Sequence, residues 1–268
     1  MVVAHTPGSW RLIYFDAPNR GEQVRILFYL ASTPFVDVRV DPYPQGLDPY
    51  KKAAMGNASP LLGTDLCPAV TAPDGTHCVE TAEIMRFVGQ RVGMAPPAES
   101  EADARAMKLT LLAQALLNQV FYALLKPMVV RAIFERGLGE RLGCVASLLN
   151  GRQATFLEKP RSKLARALPE LEGALEASGG PYLCGAALTY ADAAVFHVLN
   201  EVLAFKCFDK EELLKPYPLL CAFVSELERK TAGWIEKRVR EHQMGIPSTI
   251  DFFAATNTPF PWSRVAKK

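Results

Sequence analysis

Charge imbalance is missing from this chain of 268 residues: 30 Lys and Arg face 28 Asp and Glu, a formal net charge of +2. No Lys/Arg block or basic stripe forms the electrostatic footprint of a nucleic-acid binder, so no nucleic acid is expected as a partner. The basic stretch Glu236-Lys237-Arg238-Val239-Arg240 is interleaved with acids and reads as a solvated helix face. No apolar run approaches the roughly 18 residues that a bilayer span requires, so no membrane association is expected. A charged start followed by a long apolar stretch is also lacking, which leaves a cytoplasmic protein without a secretory leader as the expectation. Internal repeats and low-complexity segments are absent. The cysteines at 67, 78, 144, 184, 207 and 221 include no CxxC and no paired metal-ligand spacing. They read as reduced, buried small hydrophobes, and no metal is expected. The missing CxxC weakens a dithiol oxidoreductase but leaves single-thiol chemistry open.

What is present falls into two contrasting parts. Leu12-Ile13-Tyr14-Phe15 is a short buried-strand run ended by the turn-forming Asp16-Ala17-Pro18-Asn19. A helix is predicted from Gly21 to about Ser32, with Val24, Leu27, Phe28 and Ala31 on one stripe. Phe35 to Val40 is a second strand, rich in β-branched residues. The Pro- and Gly-rich connector 41–66 holds one short helix near Pro49 to Met55. Ala69-Val70-Thr71 and His77-Cys78-Val79 flank Pro73-Asp74-Gly75 and predict a hairpin. Thr81 opens a helix carried by Ile84, Phe87, Val88 and Val92. The order is βαβαββα: two parallel strands joined by a right-handed crossover, then an antiparallel hairpin.

Gly93-Met94-Ala95-Pro96-Pro97 interrupts this pattern and reads as a linker. The expected division is residues 1–93, a linker at 94–100, and an all-α part at 101–268. A long apolar helix is predicted from the acidic segment Glu99, Glu101 and Asp103 to about Phe134. Residues 137–160 read as a longer loop or broken helix. Further helices are expected at Leu164–Ala177, at Thr189-Tyr190-Ala191-Asp192 and onward, at Leu219–Arg229 and at Trp234–His242. The segment that begins at Thr189 is apolar on all sides and should be central. The tail from Gly245, with Phe252, Phe253, Phe260 and Trp262, is suited to folding back over a cleft.

Three residue groups carry chemistry. Tyr14 ends the first strand, and strand C-termini face ligands in open α/β sheets. A phenol there can donate to a thiolate and lower a thiol pKa from its free value of roughly 8.5; the plainer reading is a packed ring with a bonded hydroxyl. Thr81 is an N-cap by default, yet free N–H groups at a helix start also bind carboxylates, and Glu80 beside it suits an ammonium. Such paired charges match the zwitterionic γ-glutamyl end of glutathione. Cys67-Pro68 opens a strand, where proline is tolerated, and a cis peptide there would expose the preceding backbone to a peptide ligand.

Together these residues resemble the cytosolic glutathione transferases of tyrosine type (alpha-, mu-, pi- and sigma-like), over nearly the whole chain. The resemblance rests on Leu12-Ile13-Tyr14-Phe15 with Arg20, Glu22 and Arg25; on Cys67-Pro68-Ala69-Val70 with Asp74-Gly75 and Glu80-Thr81-Ala82-Glu83-Ile84; and on Leu183 to Asp192. It implies a thioredoxin-like N-terminal domain followed by an all-helical one. It implies that Tyr14 stabilises the glutathione thiolate and that Arg20 adds positive charge near it. The Cys67 backbone, a cis Pro68, Glu80 and Thr81 would bind the peptide, with Lys51 or Lys52 at its glycine carboxylate. Gln114 matches the place where several classes put an Asp that reaches the partner subunit's glutathione. Asp192 would hold the start of the central helix.

Pro18, Asn19, Leu66 and Glu83 depart from the family pattern. The resemblance implies a homodimer that adds glutathione, its co-substrate, to small apolar electrophiles in a pocket lined by Phe15, Ala17 and Phe121 or Tyr122. Two alternatives stand beside this: a non-catalytic glutathione- or ligand-binding scaffold of the same fold, and a glutathione-dependent isomerase or reductase using Cys67. Arg20 and Arg25 also have a plain reading as helix charges paired with Glu22 or other acids.

Overall fold

The computed structural model describes residues 8–15, 19–40, 44–120, 153–204 and 210–241. Strand β1 (Trp10–Phe15), helix α1 (Arg20–Leu30) and strand β2 (Phe35–Val40) form the expected parallel crossover. The connector holds a 3₁₀ turn at Pro44–Tyr50 and the short helix α2 (Lys52–Met55). Strands β3 (Ala69–Thr71) and β4 (His77–Val79) make the hairpin, and α3 (Thr81–Arg91) follows. The sheet order is β2-β1-β3-β4, a thioredoxin-like arrangement.

Alternation along β1 sorts its side chains between two cores, as the period of a strand requires. Leu12 and Tyr14 join Val24, Leu27 and Phe28 of α1 and Ile84 and Val88 of α3. Ile13 turns to the other face and meets Val38, Val40, Leu47, Tyr50 and Leu61. The connector thus covers the sheet face that the helices leave open.

The helical part contains α4 (Glu101–Val120), α5 (Gln153–Ser178), α6 (Tyr190–Ala204), α7 (Lys210–Leu214) and α8 (Pro218–Glu241). Helix α6 is buried around its circumference: Ala191, Ala193, Ala194, Phe196 and Leu199 are each fully enclosed, as its all-apolar pattern demands. Its start is tied by Asp192, whose Oδ2 accepts from the Thr189 N–H and hydroxyl at 2.7 Å each, while Oδ1 accepts from the Leu183 N–H at 2.8 Å. Burial outweighs these donors and pushes the Asp192 carboxyl up to about 6. Gly89 allows α3 to meet α6, since a Cβ there would lie 2.9 Å from both the Met94 carbonyl oxygen and the Tyr190 ring.

Two helix expectations are corrected. Residues 153–160 are helical, because α5 begins at Gln153 rather than Leu164. The glycines of 137–160 read as breakers, but Leu164, Leu168, Leu171 and Leu175 form a continuous buried stripe along the rest of that helix. The helices expected at 219–229 and 234–242 are not separate over the described residues, where α8 runs without a break from Pro218 to Glu241. Gly233 is no break: a Cβ there would lie 2.7 Å from the Tyr29 hydroxyl, so glycine lets α8 approach α1. The expected extension of α4 to Phe134, residues 137–152 and the tail from Gly245 lie outside the described residues.

Candidate functional site

The strand registers bring the expected site residues together. Ile13 pairs with Ala69 between β1 and β3, and Ala69 pairs with Val79 between β3 and β4. The residues next to these terminal pairs are Tyr14 on β1, Pro68 just before β3 and Glu80 just after β4, which form a row at one end of the sheet. The row ends at the N-terminus of α3, where Thr81 is buried and the first helical N–H groups are available to an anion. The Cys67–Pro68 peptide is cis. Glu80 is exposed and takes φ of +67°, a conformation that L residues hold mainly where surrounding structure enforces it.

Tyr14 is 6% exposed. Its ring lies flat against the first turn of α1: a Cβ on Gly21 would come within 2.2 Å of it, so only glycine fits. The Arg25 guanidinium stands 5.7 Å from the ring centroid, within cation–π reach. Burial, with a smaller push from the neighbouring Cys67 thiol, raises the Tyr14 pKa above that of a free phenol. The charges of Arg20 and Arg25 and the Arg20 backbone N–H act in the opposite direction. The phenol therefore keeps its proton at neutral pH and can serve as a donor. Cys67 is also governed by burial, which pushes its thiol up to about 12 against the Phe15 N–H and the Arg20 and Arg25 charges. A thiol so shifted is almost wholly protonated at pH 7 and is a poor nucleophile.

Two polar seams fasten α1 to the helical part. In the first, Arg25 donates through Nη1 to Glu22 at 3.3 Å, through Nε to Asp37 at 3.0 Å and through Nη2 to the Phe15 carbonyl at 3.2 Å. Glu22 and Arg25 are fully buried, and Trp234 of α8 donates its indole N–H to Glu22 Oε1 at 2.8 Å. The plain expectation for Arg25, pairing with Glu22 or other acids, is what the structure shows. In the second seam Arg20 donates to Asn118 Oδ1 of α4 at 2.6 Å, and Gln114 donates to Gln23. Gln114 is thus engaged within its own chain.

The remaining expected residues are more dispersed. Phe15 is half-buried, its ring centroid 5.4 Å from that of Tyr14. Lys51 pairs with Asp48 at 2.8 Å. The backbone N–H of exposed Lys52 donates to Asp65 at 3.2 Å, which ties α2 to the loop leading to Cys67. Ala17, Phe121 and Tyr122 lie outside the described residues. Asn118 and Trp234 went unrecognised as partners of α1 in the sequence. The available signal was slight: two amides four residues apart on α4, Gln114 and Asn118, share a helix face. Among the described residues no three His, Cys, Asp or Glu side chains gather into a metal-binding group. No described helix is long and apolar enough to cross a membrane.

A thioredoxin-like sheet with a cis-proline at the entry to β3, continued by an all-helical domain, defines a two-domain class of thioredoxin-like proteins. A family model for the glutathione S-transferase C-terminal domain matches residues 150–238. The chain is 28% identical over 211 residues to glutathione S-transferase P 10 of Caenorhabditis elegans, covering 77% of this chain and 83% of that one. It is also 28% identical over 195 residues to glutathione S-transferase 1 of Ascaris suum, covering 70% of this chain and 77% of the relative. Among solved structures, the glutathione S-transferase from Ascaris lumbricoides superposes with a TM-score of 0.56 at 23% identity, covering 86% of this chain and 97% of that one. The chain is thus similar to cytosolic glutathione S-transferases in its fold, in its C-terminal domain and, at 28% identity, over most of its length.

Proposed function

We propose that the protein is a glutathione transferase in which Tyr14 donates a hydrogen bond to the glutathione thiolate and thereby favours ionisation of the bound thiol. The observation that carries this reading is the row Tyr14–Pro68–Glu80, with a protonated, buried phenol at one end and the N-terminus of α3 at the other. A hydrogen bond to a charged group contributes about 1.5–3 kcal/mol, enough to lower a thiol pKa by about one to two units. Once the thiol is ionised, no general base is needed, and the protein contributes proximity to the electrophile.

In this reading Arg20 adds positive charge beside the sulfur, and the Cys67 backbone with Pro68 pairs with the cysteinyl unit. Thr81 and the α3 N-terminus receive the γ-glutamyl carboxylate, Glu80 its ammonium, and Lys51 or Lys52 the glycine carboxylate. Phe15 and Tyr122 line the place of a small apolar electrophile, and Gln114 stands at the edge of the site. The domains divide at residues 1–93 and 101–268, supported by the absence of helix and strand between Arg91 and Glu101. A homodimer in the cytoplasm completes the reading. An open groove of about 530 Å³ between α3 and α4, lined by Arg86, Asp103, Met107 and Leu111, includes no residue of the Tyr14 row. The protonated Cys67 argues against a reductase working through that sulfur.

Ultraviolet titration of bound glutathione tests the proposal. A thiolate band well below pH 8.5 in the wild type is expected, with loss of that band and a roughly 10- to 100-fold fall in conjugation of an aryl halide in Tyr14→Phe. An unchanged Tyr14→Phe would remove Tyr14 as the activator. Glutathione bound without any thiolate in either protein would favour the non-catalytic scaffold.

A further inference from the structure

Arg20 and Arg25 both direct positive charge at Tyr14 and Cys67, but they are held by chemically different partners. Arg25 lies against the carboxylates of Glu22 and Asp37, which offset its charge. Arg20 is held at 2.6 Å by the amide oxygen of Asn118. An amide accepts the hydrogen bond without cancelling the cation, whereas a carboxylate at the same distance would neutralise most of its field. A guanidinium on a long stem carries about 2 kcal/mol of rotamer entropy, so a fixed acceptor is what keeps it in one place.

The surroundings fit a positioning role. Arg20 begins α1, and its backbone N–H donates to the Asn19 side chain at 2.8 Å. One turn further along α1, Gln23 meets Gln114, which lies one turn before Asn118 on α4. These two rungs, one charged and one neutral, link α1 to α4. Asn118 comes from the helical domain, 98 residues from Arg20, and none of the described contacts links it to Tyr14, Cys67 or Glu80 directly.

We infer that Asn118 is a positioning residue that holds the Arg20 guanidinium beside Tyr14 with its charge intact, so that the helical domain sets the fraction of bound glutathione held as thiolate. The inference rests on the transferase reading above. It assigns to α4 a role in tuning the thiol from outside the thioredoxin-like domain.

The test titrates bound glutathione in the full-length wild type, Asn118→Ala, Asn118→Asp and Asn118→Gln, with glutathione affinity measured alongside. Asn118→Ala frees Arg20 and is expected to reduce the thiolate-to-thiol ratio at pH 7 about threefold to tenfold. Asn118→Asp keeps an acceptor but pairs the charge, and a fall at least as large is expected; a purely structural role predicts none. Asn118→Gln retains a neutral acceptor and is expected to recover most of the wild-type ratio. In an Arg20→Ala background, Asn118→Asp should have no further effect through Arg20. A wild-type thiolate that persists unchanged in both Asn118→Ala and Asn118→Asp overturns the inference alone. A wild type that binds glutathione entirely as thiol overturns the transferase reading and this inference together.

Discussion

The two seams between α1 and the helical domain solve the same packing problem with opposite chemistry. At the Arg25 seam a buried cation, the buried Glu22, the part-exposed Asp37 and an indole N–H satisfy one another, with Arg39 also paired to Asp37 at 2.8 Å. At the Arg20 seam the part-buried amide of Asn118 holds a cation that no described carboxylate contacts, beside the Gln114–Gln23 pair. The first arrangement is self-contained and suits stability, because each buried charge finds its counter-charge within the cluster. The second leaves net positive charge facing the Tyr14–Cys67 pair, which is of use only if an anion forms there. Charges five residues apart on one helix are thus assigned different work by the partners that tertiary packing supplies.

The contrast is broken most severely at Arg25. Arg25→Ala leaves the Glu22 carboxylate buried without this counter-charge, and urea unfolding should show a loss of about 3–5 kcal/mol. Asn118→Ala should by comparison be close to neutral in the same assay, because a part-exposed acceptor is readily replaced by water. Trp234→Phe keeps most of the packing and removes one donor from Glu22; a loss of about 1–3 kcal/mol is expected, with the thiolate band of bound glutathione little changed. Equal effects of Trp234→Phe and Asn118→Ala on the thiolate would erase the distinction between the seams. Cys67→Ser should produce the smallest change, less than about threefold in conjugation rate, because the sulfur is protonated at neutral pH. A large loss there would return thiol chemistry to consideration.

Local patterns disclosed the strands and placed the candidate residues at strand ends and a helix start, because local physics decides such positions. Phe35–Val40 and the hairpin strands Ala69–Thr71 and His77–Val79 occur where β-branched runs and the Pro73-Asp74-Gly75 turn require. Tyr14, Cys67-Pro68 and Glu80-Thr81 were legible because strand ends and helix starts announce themselves in composition. The helical half was less legible. Gly233 resembles a helix break in sequence, but its role is set by the Tyr29 hydroxyl, which approaches from α1. The polar residues of α1 were equally ambiguous: Glu22, Gln23 and Arg25 resemble a solvated helix face, yet all are buried because α6 and α8 pack over them.

Tyr14 shows where the division lies. Its place at the end of a strand, before a helix and in register with a Pro-led hairpin, follows from periodicity and turn chemistry within about ninety residues of chain. Its electrical surroundings do not. The Arg25 charge offset by Glu22 and Asp37, and the Arg20 charge left intact by Asn118, depend on residues up to 98 positions away. Secondary structure is a short-range consequence of backbone sterics and apolar spacing, so the sequence alone determined the sheet and the order of its elements. The field at a site is a sum over charges and dipoles brought near in space, and only the tertiary structure decided which of them face Tyr14.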